Sequence, residues 1–273
     1  MAKIQHNFDY ADENEIRAGL SGRAENIKIK ILPEVGSTND EMRKSAIEGK
    51  SEIRVLIAES QTDGKGRNGK VFFSPANSGC YMSFLLRPMY SAEECTLLTT
   101  MAAAAVAEAI EKVTGEQTEI KWINDVYIHR KKVAGILTEA KIAKDGKGLE
   151  YAIVGIGINI NAPEGGFPDE LEQIAGTVVY GKRAFIKNQL IAEIINRFVA
   201  YYHNLPQKKY MSLYRKKLFF LGEEITVIEG EYSYQATAIT VDSMCRLIVT
   251  LEDGSEKTLF GGEISIKPQK LRK

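Results

Sequence analysis

Gly64, Lys65, Gly66, Arg67, Gly69 and Lys70 crowd one short stretch, ESQTDGKGRNGKVFFSP (59–75). Glycine lets a backbone approach a ligand closely and adopt positive φ. Arginine and lysine supply cationic donors, and arginine grips a phosphate or carboxylate in bidentate fashion. Such a loop can close over a negatively charged small molecule. GKGRNG also fits the G-x-G-x-x-G pattern of dinucleotide-binding folds, but that fingerprint needs a helix opening in the loop. Here Val71-Phe72-Phe73 reads as a strand that Pro75 breaks, and the next helix pattern starts near Ser91. The acidic residues at a suitable distance, Glu93 and Glu94, fall in that helix's first turn. A nicotinamide-dependent oxidoreductase is therefore disfavoured, and a plain surface loop is the other reading of this stretch alone.

Three further segments carry chemistry-bearing residues: GSTN (36–39), KWINDVYIHRKKVAGIL (121–137) and VGIGININ (154–161). Each has an ordinary explanation as well. Ser37 and Thr38 could cap a helix. Asp125 could belong to a turn-forming Asn-Asp pair. Lys132 could be a solvated strand lysine, with Lys131 on the opposite face. Gly155 and Gly157 could mark close sheet packing. Trp122, the lone tryptophan, reads as core. No Ser-His or Cys-His pairing suggests a covalent nucleophile.

The elements that must hold these residues follow from periodicity. Ile27, Ile29 and Ile31 alternate with lysines as a strand that Pro33 should end. GSTNDEMRKSAIEG (36–49) reads as a helix, with Thr38 and Glu41 in capping-box spacing. Residues 53–58 and 80–86 read as strands. Ser91 to Val113 reads as one helix, opened by a Ser91/Glu94 capping box and closed by Gly115. Glu119–Ile128 and Lys132–Lys141 read as neighbouring strands around the turn His129-Arg130-Lys131. A buried strand is expected over 150–160, a loop over 162–176, and helices over 185–203 and 207–217. From Phe219 onward short alternating strands take over: 225–228, 232–241, 247–251 and 257–260. This predicts one domain over 1–218, which holds all four segments, and a small all-β domain over 219–273.

Composition sets the outer limits. The 273 residues balance 36 Lys and Arg against 36 Asp and Glu. Bulk charge thus gives no argument for nucleic-acid or membrane binding. Cys80, Cys95 and Cys245 are odd in number and widely spaced, which predicts reduced thiols and no zinc site. With no signal-peptide core and no long apolar run, a soluble cytoplasmic protein is expected.

Taken together in this order, the four segments resemble the biotin–protein ligases, from about Ile27 to the end of the chain. The resemblance implies an α+β fold: a mixed β-sheet catalytic domain like that of class II synthetases and biotin–lipoate ligases, then an SH3-like β-barrel. It implies ATP-dependent formation of biotinyl-5′-AMP and transfer of biotin to a lysine of a biotin carboxyl carrier protein or domain. Lys132 and Arg67 would be catalytic. Ser37, Thr38, Asn39, Gln61, Gly64, Lys65, Gly66 and Gly135 would join them in binding biotin. Phe72, Asn124, Gly157 and Asn159 would join them around the nucleotide, and Asp125 would hold Mg2+. A homodimer is compatible with the resemblance. Some members carry an N-terminal DNA-binding domain; with about 26 residues before the first strand, too few for a helix-turn-helix domain, no DNA binding is expected. The family's loop is usually GRGRxGR, so Lys65 and Lys70 depart from it, and Ile123 stands where proline is common. A lipoate or octanoate ligase and a non-catalytic biotin sensor are the alternatives.

Overall fold

The computed structural model describes residues 9–49, 54–144, 146, 148–181 and 184–266. Ile53, the first residue of one expected strand, and the last seven residues of the expected barrel domain lie outside them. The first unit contains strands β1 (Lys28–Val35), β2 (Arg54–Gln61), β3 (Gly79–Leu86), β4 (Glu119–Lys121), β5 (Asp125–Ile128), β6 (Lys131–Ile142) and β7 (Leu149–Asn159). Its helices are α1 (Glu13–Ala18), α2 (Thr38–Ile47), α3 (Ala92–Cys95), α4 (Leu98–Thr114), α5 (Asp169–Glu172), α6 (Lys187–Tyr202) and α7 (Met211–Lys217). The strands form one sheet in the order β1-β2-β3-β7-β6-β5-β4. Only β1 and β2 run parallel; the other neighbours are antiparallel.

Helices cover both faces of this sheet. On one face α2 packs Met42 and Ala46 over Leu56, Leu85 and Ile153. On the other lie α4 and α6, where Ala102 to Ala105 are fully buried and let α4 sit close to the strands. Phe84 of β3 stacks on Phe198 of α6 at 3.8 Å between ring centres. Cys80, Cys95 and Cys245 are all free and buried. Burial pushes the Cys80 thiol up to about 12 and that of Cys95 to about 11.

Several local expectations are corrected. β1 continues through Pro33 to Val35 because it is an edge strand. Leu32 pairs with Ala58 and Glu34 with Ser60, and Pro33 has no ladder bond to lose. The helix expected over 91–113 is two helices. Thr96 and Leu97 donate to Glu93 and Glu94, three residues back, which tightens the chain between α3 and α4. The Ser91/Glu94 capping box is present, whereas Thr38 is the first residue of α2 and its hydroxyl bonds to Gln61. Residues 119–128 are not one strand but the hairpin β4–β5, with Lys121 opposite Asp125.

The second unit is a five-stranded antiparallel sheet in the order β11-β10-β9-β8-β12. Its strands are β8 (Glu224–Glu229), β9 (Tyr232–Val241), β10 (Leu247–Leu251), β11 (Glu256–Leu259) and β12 (Glu263–Ile266); β12 was not expected. Ile225, Val227, Val249 and Ile264 join the same hydrophobic cluster as the α4–α6 face. Trp122 is buried and donates from Nε1 to the Cys245 carbonyl at 2.8 Å. Tyr214 donates to the Ile123 carbonyl at 3.1 Å. The β4–β5 turn is thereby bolted to α7 and to the second sheet.

One ion pair is deep inside. Lys187 Nζ lies 2.6 Å from Glu59 Oε2, with the two side chains 3% and 11% exposed. Glu59 also accepts from the Ala11 amide, and Asp9 accepts from the amides of Ile186 and Lys187. Asp9 thus caps α6 from a remote segment. Removing one partner of a buried pair strands the other charge. Lys187→Met is expected to cost about 3–5 kcal/mol, and adding Glu59→Gln should recover part of it. Urea midpoints of the two variants check this; equal midpoints for Lys187→Met and the wild type would refute it.

Candidate active site

A cavity of about 350 Å³ opens over the centre of the large sheet. Of the site residues expected from sequence, Ser37, Thr38, Asn39, Gln61, Lys65, Gly66, Arg67, Phe72, Asn124, Asp125, Lys132, Gly135, Gly157 and Asn159 line it. Gly64 does not. A Cβ there would sit 2.3 Å from the Phe72 carbonyl and 2.6 Å from Ser74 Oγ. Its lack of a side chain lets the base of the loop sit against Phe72 and Ser74.

One part of the wall is neutral and hydrogen-bonding. Gln61, at the end of β2, accepts from the Thr38 amide at 2.9 Å and from its hydroxyl at 3.1 Å. Its Nε2 donates to Ser74 Oγ at 2.9 Å. Ser83 Oγ lies 2.7 Å from Thr38 Oγ1 and 2.6 Å from Asn39 Oδ1. These groups are mutually fixed and, apart from the half-buried Gln61, buried, so their remaining donors and acceptors have defined directions. Ser37 is the N-cap of α2 yet makes no side-chain capping bond.

Another part is cationic. Lys65, Arg67, Lys70, Lys121 and Lys132 line the cavity, against two carboxylates, Asp125 and Glu263. The glycine-rich loop is a tight turn closed by Gly66 N–H to the Lys70 carbonyl and Phe72 N–H to the Gly64 carbonyl. Arg67 donates to Asn124 Oδ1 and to the Gly262 carbonyl, both at 3.0 Å. Asn124 is itself fixed by donating to the Ile136 carbonyl. Lys132 Nζ lies 2.8 Å from Asp125 Oδ1. The angle there is not that of a hydrogen bond, and this buried oxygen accepts none. Burial holds Lys121 below the usual lysine range, with Asp125 and Glu263 opposing that shift. Lys131, read as the lysine turned away, donates to the Glu172 carbonyl and does not line the cavity.

Glycines in β7 give the floor its shape. A Cβ on Gly155 would meet Asn39 Oδ1 at 2.3 Å, and one on Gly157 would meet the Phe72 ring at 2.6 Å. Asn39 and Phe72 therefore rest directly on the β7 backbone. Asn159 spends its amide N–H on the Gly176 carbonyl, which steadies the segment after α5.

Sequence reasoning missed two contributors. Phe167, Leu171, Ile174 and Ala175 come from the stretch read as loop and form an apolar wall. This segment is stitched to the catalytic sheet by Lys132 N–H to the Ile174 carbonyl and Gly176 N–H to the Lys132 carbonyl. Glu263 and Ile264 come from β12, and Glu263 pairs with Lys70 at 2.7 Å. A carboxylate after a Gly-Gly turn carries no sequence signal of its own.

Residues 33–159 match the biotin/lipoate A/B protein ligase family model, and residues 220–267 match the biotin protein ligase C-terminal domain. The two matched regions contain the cavity's floor, glycine-rich loop, cationic residues and β12 wall. The chain belongs to the biotin protein ligase family. A bifunctional ligase/repressor BirA of Bacillus subtilis is 39% identical over 163 residues, 60% of this chain. The chain spans half the length of that relative. A biotin–[acetyl-CoA-carboxylase] ligase of Mycobacterium tuberculosis is 28% identical over 244 residues, covering 86% of this chain and 88% of the relative. Among solved structures, a biotin protein ligase from Aquifex aeolicus in complex with biotin and ATP superposes with a TM-score of 0.72. It is 28% identical and covers 88% of this chain and 98% of its own.

The Gly155–Asn39 contact gives a direct test of the floor. Gly155→Ala should destabilise by about 1–3 kcal/mol through overpacking. Asn39→Ala in the same chain should relieve most of that cost. Thermal melting of both variants checks it; no relief in the double variant would show that Asn39 is not the group displaced.

Proposed function

We propose that the chain is an ATP-dependent biotin–protein ligase. The observation that carries this reading is the pairing of a neutral, hydrogen-bonding wall with a cationic one in a single cavity of about 350 Å³. Biotin's ureido ring is uncharged and needs fixed donors and acceptors, which Ser37, Thr38, Asn39 and Gln61 offer. Its carboxylate and the nucleotide phosphates need the cations. The loop, Lys121 of β4 and Lys132 of β6 supply them.

In the first step a biotin carboxylate oxygen attacks the α-phosphorus of ATP. The bond from that phosphorus to the bridging oxygen breaks, and pyrophosphate leaves. Negative charge builds on the α-phosphate, where preorganised cations are worth most. Arg67 is held by an amide oxygen and a carbonyl, neither of them charged, so its full charge faces the cavity. Lys132 is free to leave Asp125 for an arriving phosphate or carboxylate oxygen. Phe72, seated on Gly157, offers its ring to the base. In the second step a lysine amine of a biotin carboxyl carrier protein or domain attacks the acyl carbon. The bond from that carbon to the AMP oxygen breaks, an amide forms, and the amine gives its proton to solvent.

Asp125 would hold Mg2+, which neutralises phosphate charge when bound. The fit is good on this structure's own terms. Asp125 Oδ1 is buried and accepts no hydrogen bond, and the Lys132 ammonium 2.8 Å away marks where a cation is favoured. Among the described residues no group of three or more His, Cys, Asp or Glu forms an all-protein cage, and Mg2+ with a nucleotide commonly takes one or two carboxylates plus phosphates and water. The reaction belongs in the cytoplasm. No described helix is long and apolar enough to cross a membrane.

ATP–pyrophosphate exchange with biotin, lipoate or octanoate in parallel tests the reading. Exchange with biotin alone is the expected outcome, and exchange with lipoate or octanoate instead would reassign the substrate. Lys132→Ala should slow biotin-dependent exchange by about 100-fold, the loss of one charge-assisted contact in the transition state. Wild-type exchange in that variant would remove Lys132 from the mechanism.

A further inference from the structure

Lys65 stands where a side-chain contact to the bound anion would be natural, yet its Nζ is directed elsewhere. It lies 2.6 Å from Asp40 Oδ2, on the first turn of α2. Asp40 is shared with Arg43 one turn later on the same helix. The other nitrogen of Arg43 reaches Glu139 Oε1 on β6 at 2.5 Å. The second oxygen of Glu139 accepts from Asn39 Nδ2 at 2.8 Å. This fixes which way the Asn39 amide faces, with Oδ1 toward Ser83. The result is an unbroken chain of polar contacts, Lys65–Asp40–Arg43–Glu139–Asn39, running from the glycine-rich loop to the cavity floor. Its charged members are about one-third exposed, so they are neither buried nor fully screened. Asp40 and Arg43 lie outside the cavity wall.

We propose that Asp40 and Arg43 are positioning residues that latch the glycine-rich loop to the cavity floor, and that Lys65 serves the site through this latch rather than by gripping the ligand. A lysine suits this task. Its single ammonium reaches one carboxylate at the end of a flexible stem, where a planar guanidinium would present a fork. Arg43 is the branched member and joins two carboxylates of different elements, which an ammonium does poorly. The latch shortens the time that the loop spends open, so its loss acts on ligand escape more than on the chemical step. Its significance for catalysis rests on the biotin–ATP reading above.

The test compares Asp40→Asn, Lys65→Gln, their combination, and the reversed pair Asp40→Lys/Lys65→Asp in the full chain. Biotin dissociation is followed through the fluorescence of Trp122, which lines the cavity. Asp40→Asn should speed dissociation about fivefold, the scale of one part-exposed pair. It should raise the apparent KM for biotin by a similar factor with a smaller change in kcat. The double variant should be no worse than the worse single variant, because both break one contact. The reversed pair should recover part of the loss. Arg43→Lys should fail to rescue, whereas a merely bulky role for Arg43 would let it. Additive losses from Asp40→Asn and Lys65→Gln, or unchanged dissociation in Asp40→Asn, would overturn the latch. Tryptic cleavage after Arg67 reports the loop without any ligand and should be faster in Asp40→Asn. That arm stands even if the wild type shows no biotin-dependent exchange, an outcome that would sink the functional reading alone. Equal cleavage rates would sink the latch alone.

Discussion

Like charges held close together repel, and this cavity gathers five cationic side chains against two carboxylates in a chain with no net charge. Much of the surrounding structure answers that constraint. Arg67 is spread between an amide and a carbonyl, Lys70 meets Glu263, Lys132 meets Asp125, and Lys65 is drawn off to Asp40. The partners come from three separate regions, the β4–β5 hairpin, the start of β12 and α2, so the cations stay apart until an anion replaces the protein acceptors. The local field stays strong because the partners are few and the site is partly enclosed.

The same constraint explains why the second sheet packs so firmly on the first. Glu263 at the start of β12 and the Gly262 carbonyl just before it hold Lys70 and Arg67 of the glycine-rich loop. Trp122 and Tyr214 tie the turn that carries Asn124 and Asp125 to the Cys245 strand connection and to α7. The small β unit is thus part of the wall around the anions, although its sequence shows only alternating strands and turns.

The parts of the site that were legible in the sequence were those compressed into short strings. GSTN, GKGRNG, KWIND, KKVAGI and VGIGIN each pack several unusual requirements into a few positions, and twelve of those fourteen lining residues come from them, with Phe72 just after the loop as a thirteenth. Gln61, just before the loop, is the other. Gly64 does not line the cavity, and a glycine required for packing under Phe72 and Ser74 looks the same in sequence as one required beside a ligand. Asp40, Arg43 and Glu139 carry no signal of their own in the sequence, since the contacts that tie them to Lys65 and across to β6 span 25 and 96 residues. Glu263 and the Phe167–Ala175 wall were invisible for the same reason: their role exists only after the sheet brings distant segments together. The fold was legible wherever a period of two or 3.6 ran undisturbed. It was lost where short-range bonds broke the period, as at Thr96–Leu97 and in the β4–β5 hairpin.

The contacts of Asn39 and Phe72 on bare β7 backbone have an evolutionary corollary. At 2.3 and 2.6 Å, neither Gly155 nor Gly157 can gain even a methyl group while its partner keeps its present position. Positions 39 and 155, and positions 72 and 157, are therefore free to drift only as pairs. A lineage that reshaped this floor for a differently sized acid would lose least stability by placing a small residue at 39 or 72 before either glycine changed. The order of permissible substitutions, and not only their identity, is written into the sheet.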